Sequence, residues 1–139
     1  MLEMIVGSNG TGKTKYLLDV ASNEIGKVDG NIAFLDKGKS HMYELNNRIR
    51  LIDVKQYNVK SNEEFIGFVL GLLSQDRDLE IILIDSFLKL ACLEGKDITA
   101  TMKRLDEVGR EFNVRFVISV GLDENAIPAE LKDSIAASL

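Results

Sequence analysis

Uninterrupted apolar runs alternate along this chain with segments whose apolar residues recur at helical spacing. A central strand of a parallel sheet is covered on both faces, so it is predicted by a continuous apolar run. Such runs lie at residues 4–6, 31–36, 50–54, 80–85 and 115–120. The run at 50–54 is short and predicts an edge strand, whereas the run at 80–85 is the most apolar and predicts a strand in the middle of the sheet.

Helical patterns fill the intervals between these runs. One helix is predicted directly after residue 14, a second after Ser61, and a third over residues 97–112. Ser61 is followed three residues later by Glu64, which is the spacing of a capping box. Pro128 predicts the start of a short helix with Leu131, Ile135 and Leu139 on one side.

This alternation of strands and helices predicts the fold class. No internal repeat and no low-complexity linker interrupts it. We therefore expect a three-layer α/β/α sandwich built on a mainly parallel sheet. Side chains that follow the strands should then meet at one edge of the sheet, where such folds bind ligands.

Composition sets further limits on the chain. With 139 residues, 45% of them hydrophobic and 28% charged, we expect one globular domain spanning 1–139. The longest apolar stretch, residues 65–73, is too short to span a bilayer, and the first residues carry no basic region or cleavage site. The lone Cys92 fits a reducing compartment. These features favour a cytoplasmic protein with no membrane partner.

Charge restricts the partners. The net charge of −5 argues against extensive nucleic-acid binding, which needs many Lys and Arg contacts to phosphate. Two local basic clusters remain, one formed by Lys37, Lys39 and His41 and the other by Arg48 and Arg50. Such clusters are most often solvated loops.

The strongest chemical signal is the segment at 7–14. It reads GSNGTGKT and matches the phosphate-binding pattern G-x-x-x-x-G-K-[ST] at every fixed position, between a strand-like run and a helical pattern. Glycines let the backbone N–H groups point at phosphate oxygens, at the positive end of the following helix. The predicted phosphate ligands are Gly7, Ser8, Asn9, Gly10, Thr11, Gly12, Lys13 and Thr14. The alternative is a glycine-rich turn with no ligand.

Asp85 provides a second element of the same site. It follows the apolar run Ile81–Ile84, the arrangement in which P-loop NTPases hold a metal ion between an Asp and the Ser or Thr of the loop. Thr14 and Asp85 are thus the predicted Mg²⁺ ligands, and Lys13 would neutralise the β- and γ-phosphates. An acidic residue at the solvent end of a buried strand is the competing interpretation.

From residue 4 to about residue 120 the chain resembles the RecA-like ATPases. The resemblance rests on the loop, on Ile32–Asp36, which is similar to the second strand of bacterial RecA, and on Ile81–Ser86, which is similar to its metal-binding strand. It implies that ATP is the nucleotide and that Ser119, at the end of a strand beside the loop strand, senses the γ-phosphate. Oligomers are also implied, since such sites often borrow a cation from a neighbouring subunit. Arg48, Arg50 and Arg104 are the candidates for that cation.

The chain departs from this family where water is activated. RecA-like enzymes keep a glutamate just beyond the second strand, and related ATPases place one directly after the metal-binding Asp. Here these places read Asp36-Lys37-Gly38-Lys39 and Ser86. Asp36 or a glutamate such as Glu94 would have to substitute, so we expect slow hydrolysis or hydrolysis completed by a partner.

Three functions therefore compete. The first is a Mg-ATP-binding switch with weak ATPase activity, the second a noncatalytic nucleotide-binding module, and the third a small-molecule kinase. The third is disfavoured because Phe87–Asp97 carries Lys89 and Lys96 but no arginine-rich lid. GTP is disfavoured because no glycine follows Asp85 at the GTPase spacing and no Asn-Lys-x-Asp base-reading motif occurs.

The chain also resembles short stand-alone P-loop proteins that are labelled as twitching-motility ATPases. A secretion-type motor would need an additional N-terminal domain with acidic and histidine boxes, which 139 residues do not accommodate. We therefore expect a switch or an interaction module with a protein partner, and no motor.

Overall fold

Six strands build one parallel sheet in the protein, whose residues 1–139 are all described by a computed structural model. The strands are β1 (Leu2–Val6), β2 (Asn31–Asp36), β3 (Ile49–Asp53), β4 (Leu79–Ile84), β5 (Arg115–Val120) and β6 (Ile135–Ser138). They lie in the order β3-β2-β4-β5-β1-β6, and every neighbouring pair is parallel. The predicted α/β class with a parallel sheet is confirmed, as are the edge position of β3 and the inner position of β4.

Helices cover both faces of the sheet. They are α1 (Lys13–Glu24), α2 (Asn62–Gln75), α3 (Phe87–Leu90) and α4 (Thr99–Phe112). On one face, α1 packs Leu17, Leu18 and Ala21 into a core cluster of 10 buried residues. On the other face, α2, α3 and α4 contribute to a cluster of 28 buried residues. This arrangement is consistent with three layers. Helix α1, which follows the loop at 7–14, is the one α-helix on its face of the sheet.

Local sequence accounts for how two of these helices are bounded. The Ser61 hydroxyl accepts a hydrogen bond from the backbone N–H of Glu64 at 3.1 Å, which confirms the predicted N-cap of α2. The Glu64 carboxylate in turn accepts from the backbone N–H of Lys60 at 2.7 Å. At the end of α4, Asn113 adopts the left-handed conformation that stops a helix, with φ of 55°.

The structure corrects the prediction for the last residues. Pro128 precedes a 3₁₀ turn at Ala129–Ser134, but Ile135 begins strand β6 and does not continue a helix. Strand β6 pairs with β1, and the backbone N–H of Leu139 donates to the Val6 carbonyl at 2.9 Å. Strand β1 thus has a neighbour on each side. No helix of the fold combines the length and the apolar character that a membrane crossing requires.

Candidate functional site

The carboxyl ends of the strands bring the predicted site residues to one edge of the sheet. Leu35 of β2 pairs with Ile84 of β4, so Asp36 and Asp85 follow at the same level on neighbouring strands. The backbone N–H of Asp85 donates to the Leu35 carbonyl at 2.9 Å, which fixes this level. Ser119 lies near the end of β5, and the loop at 7–14 follows β1.

The loop at 7–14 has a backbone that depends on its glycines. Gly12, at the N-cap of α1, has φ of 95°, and Gly10 has φ of 82°, both in the left-handed region that favours glycine. A Cβ atom on Gly7 would lie 2.6 Å from the Thr11 hydroxyl oxygen and 2.9 Å from the Leu139 carbonyl oxygen. A side chain is therefore excluded at Gly7 by neighbouring atoms and disfavoured at Gly10 and Gly12 by their backbone conformation.

Lys13 begins helix α1 and folds back over this loop. Its ammonium group donates to the Ser8 carbonyl at 2.7 Å and lies 3.5 Å from the Thr11 hydroxyl. Burial lowers the pKa of Lys13 below its usual value, and the negative charge of Asp85 opposes this change. A partly desolvated ammonium group beside open backbone N–H groups is well suited to an anionic ligand.

Asp85 is the centre of a hydrogen-bond network. One carboxylate oxygen accepts from the Thr14 hydroxyl at 2.9 Å, across 71 positions of sequence. The other oxygen accepts from the Ser119 hydroxyl at 2.7 Å, and the Ser119 oxygen accepts from the backbone N–H of Ser86 at 3.0 Å. Asp85 and Ser119 are buried, with 3% and 1% of their surface exposed. Ser119 therefore holds the Asp85 carboxylate in place.

Residue Ser86 has a backbone conformation that is costly for any residue other than glycine. Its φ and ψ are 53° and 47°, and it is the N-cap of α3. Left-handed conformations of this kind cost about 1–2 kcal/mol and concentrate at functional sites. The turn at Ser86 starts α3 immediately after Asp85, and Ser86, Leu88 and Lys89 stay at the edge of the cavity.

A cavity of about 450 Å³ opens above these groups. That volume is within the range of small-molecule sites. The loop contributes Asn9, Gly10, Gly12, Lys13 and Thr14, and the remaining walls come from Lys37, Asp85, Ser86, Leu88, Lys89, Glu94, Ser119 and Gly121. Leu88 is the one hydrophobic lining residue. A polar cavity lined by Lys13, Lys37 and Lys89 fits a polyanion better than an apolar ligand.

Asp36 lies at this edge but is closed off from solvent. It is 2% exposed, and one of its oxygens accepts from the backbone N–H of Lys37 at 2.7 Å. The other oxygen lies 2.9 Å from Nδ1 of His41. The hydrogen bond that His41 donates to Asp36 is the main cause that raises the pKa of His41. Burial opposes the rise, and the charges of Asp36, Glu44 and Asp85 add to it.

The residues at this edge fit a hard divalent cation. Thr14 and Asp85 present a hydroxyl and a carboxylate oxygen within hydrogen-bond distance of each other, and oxygen is the ligand type that Mg²⁺ prefers. No group of three or more His, Cys, Asp or Glu residues is arranged as a metal site. Since Mg²⁺ in nucleotide sites is bound through few protein ligands and the phosphates, this pair is a sufficient protein contribution.

Several residues named from sequence are separated by the fold. Lys37 and Glu94 line the cavity, whereas Lys39 and Arg50 line a different cleft beside strand β3. Arg48 and Arg104 are exposed and line neither. The residue that the sequence did not connect with the site is His41, because the loop between β2 and β3 carries no periodic pattern that would place it against Asp36.

No model of a known protein family matches this chain, and no curated protein matches it.

Proposed function

We propose that this protein binds Mg-ATP and is a weak or partner-activated ATPase that acts as a nucleotide-dependent switch. The observation that carries the proposal is the hydrogen bond from Thr14 to Asp85, at 2.9 Å. It joins the loop at 7–14 to the strand end that a P-loop NTPase uses for its metal. Without that pairing, the loop would be a glycine-rich turn.

The strand order supports a RecA-like relationship within this proposal. Strand β5, which carries Ser119, lies between β1 and β4. The loop and the metal-binding Asp are thus separated by one strand with a polar residue near its end, as the resemblance to RecA-like ATPases implies. Mg²⁺, when bound by Thr14 and Asp85, would neutralise phosphate charge.

The remaining cavity residues suggest how the polyphosphate is held. Backbone N–H groups of Gly10, Gly12 and Lys13 would donate to phosphate oxygens at the start of α1. The Lys13 ammonium group would exchange the Ser8 carbonyl for phosphate, and a charged acceptor makes the stronger hydrogen bond. Lys37 also lines the cavity, and there it would contact the terminal phosphate.

Calorimetric titration of ATP with Mg²⁺ tests this proposal. Lys13→Ala removes the ammonium group, and hydrogen bonds to charged groups contribute about 1.5–3 kcal/mol, so the Kd should rise about 10- to 100-fold. Lys15→Ala is the matched control. Lys15 belongs to the same helix but is exposed and pairs with Asp19 at 3.3 Å. Undiminished affinity in Lys13→Ala, or equal losses in both variants, would contradict the proposal.

A noncatalytic nucleotide-binding module is the second candidate, and the missing water-activating glutamate favours it. Neither usual position of the water-activating glutamate carries that residue, and Ser86 points the chain into α3. The two candidates differ in one measurement, the release of phosphate from bound Mg-ATP. Release above the uncatalysed rate favours the ATPase, and retention of intact ATP favours the module.

A further inference from the structure

The Asp36–His41 pair is the one oriented acid–base group beside this site that the proposed function does not use. Both oxygens of Asp36 are engaged, one by the backbone N–H of Lys37 and the other by Nδ1 of His41. With 2% exposure and a hydrogen bond at each oxygen, the carboxylate is less open to a water molecule in the cavity than the half-buried imidazole is. Asp36 instead selects the tautomer in which Nδ1 carries the proton, which leaves the lone pair of neutral His41 on Nε2.

The pair lies next to the proposed metal position. Asp36 and Asp85 occupy the same level of neighbouring strands, which are about 4.8 Å apart. His41 lines a cleft of about 440 Å³ beside α1, and this cleft adjoins the cavity above the loop at Thr14, which lines both. The hydrogen bond with Asp36 is the main cause that raises the pKa of His41, and the negative charge of Asp85 makes the smallest contribution to that rise.

We propose that His41, oriented by Asp36, is the general base that activates water for ATP hydrolysis in this protein. The inference rests on the proposed binding of Mg-ATP and adds the catalytic residue that the sequence lacks at the two usual positions. Asp36 is a positioning residue in this scheme, since it acts only through the imidazole.

Glu94 is the competing base, and its surroundings disfavour it. It lines the cavity, but it is exposed on the loop after α3, beside Gly95 with φ of 71°. Its carboxylate makes no hydrogen bond that would fix its direction. A general base must be held within hydrogen-bond reach of the water, and His41 is held by a buried partner whereas Glu94 is not.

The chemical step balances without any further reactant. A water oxygen forms a bond to the γ-phosphorus while one water O–H bond breaks, and its proton goes to Nε2 of His41. The bond between the γ-phosphorus and the bridging oxygen breaks, and its electron pair leaves on ADP. Asp36 stabilises the imidazolium that forms, which later releases its proton to solvent.

The pH dependence of this step has a defined sign. Charged groups from several elements surround His41. Asp36 is the last residue of β2, Asp85 directly follows β4, and Glu44 lies in the 3₁₀ turn at Met42–Glu44. Helix α1 contributes Lys15 and Asp19. Protonated His41 cannot accept a proton. Hydrolysis should therefore rise with pH through the pKa of His41, which lies above its usual value of 6.5.

Single-turnover hydrolysis of Mg-ATP by the full chain tests the inference. His41→Asn keeps an amide donor for Asp36 but removes Nε2, so it should lower the rate about 100-fold and change the Kd by less than about threefold. His41→Gln is a second variant that also removes the imidazole, and it tests the inference if His41→Asn does not fold. Tyr43→Ala is the control, because Tyr43 lies in the same loop, is 91% exposed and belongs to no part of the site. Glu94→Gln tests the competing base, and it should lower the rate by much less than His41→Asn does.

Each outcome of this experiment decides something. The inference is overturned if His41→Asn hydrolyses like the unmodified chain, if Tyr43→Ala loses as much activity, or if Glu94→Gln alone is inactive. It is also overturned if the unmodified chain binds Mg-ATP but shows no hydrolysis. Failure of the unmodified chain to bind Mg-ATP would instead refute the proposed function, so the two failures are distinguishable.

Nuclear magnetic resonance measures the pKa of the His41 ring directly. If His41 had only a structural role, this pKa would not be linked to the pH dependence of hydrolysis. His41 is the one histidine of the chain, so its ring signals need no further assignment. Asp36→Asn should lower the pKa of His41, because the hydrogen bond that His41 donates to Asp36 is the largest cause of the rise. The pH limb of the hydrolysis rate should move down by the same amount. If the pH at which the hydrolysis rate rises does not change although the pKa of the His41 ring does, His41 is not the base.

Discussion

At the residue scale, the pair formed by Asp36 and His41 ties the loop after β2 to the sheet. The imidazole reaches a carboxylate five positions earlier in the chain, at 2.9 Å. His41 is partly exposed, with 27% of its side-chain surface open, so water weakens the interaction between the two charges. The contribution of the pair to stability should therefore be modest but should depend clearly on pH.

This pH dependence is a prediction about folding. The folded state raises the pKa of His41, so the folded state binds the proton more tightly than the unfolded chain does. The stabilisation is fully present below the unfolded pKa of about 6.5, and it is lost as the pH rises through the folded pKa. The unmodified chain should exceed His41→Gln in free energy of unfolding by more at about pH 5.5 than at about pH 9.

Urea unfolding of both chains at the two pH values measures this difference. The other carboxylates titrate alike in both chains, so the subtraction removes their contribution to first order. A difference that is constant with pH, or one that grows toward alkaline pH, would show that the folded state does not favour the protonated imidazole.

Single residues also show how far the sequence alone could define the site. The loop at 7–14 and Asp85 are recognisable because their chemistry requires fixed residue types at fixed spacing. A parallel sheet predicts that Asp85 and Ser119 share one edge, whereas their hydrogen bond depends on β4 and β5 being neighbours, which the sequence did not predict. His41 could not be placed, because its position depends on the path of a loop with no periodic pattern.

At the scale of elements, helix α2 illustrates a local signal that works independently of the rest of the fold. Ser61 accepts from the backbone N–H of Glu64, one of the donors that a helix start leaves unpaired. Ser61→Ala should lower the free energy of unfolding by about 0.5–2 kcal/mol. Ser74→Ala is the control within the same helix, because the Ser74 hydroxyl donates to the Gly71 carbonyl and caps no free N–H group.

Chemical denaturation of these two variants checks the role of the cap. A loss confined to Ser61→Ala supports it. Equal losses in Ser61→Ala and Ser74→Ala would mean that the Ser61 side chain contributes nothing specific to the start of α2.

Strand β6 is an element that the sequence did not predict. Alanines at 136 and 137 favour a helix by propensity, and the pattern after Pro128 was consistent with one. The edge of β1 provides backbone hydrogen bonds that an isolated helical turn lacks. The side chains of Ile135 and Ala137 are partly buried, whereas those of Ala136 and Ser138 are exposed. Tertiary pairing therefore overrides local preference there, which a reading of residues 128–139 alone could not anticipate.

At the scale of the whole molecule, two core clusters of unequal size hold the site edge in place. The larger cluster, of 28 buried residues, anchors α2, α3 and α4, and the smaller, of 10, anchors α1. The loop and Thr14 belong to the start of α1, whereas Asp85 and Ser119 end strands shared by both clusters. A ligand bound at this edge would therefore contact both α1 and the sheet, and it should stabilise the fold as a whole.

The location of bound metal-nucleotide is the most direct test of the account. Mn²⁺ replaces Mg²⁺ in ATP and broadens the amide signals of nearby residues in nuclear magnetic resonance spectra. The account predicts selective broadening at Thr14, Asp85 and Ser86, with sharp signals at Asp78 and Asn113 in a cleft at the start of β4. Asp85→Asn should reduce this broadening. Broadening centred on residues 78 and 113, or none at Thr14 and Asp85, would contradict the account.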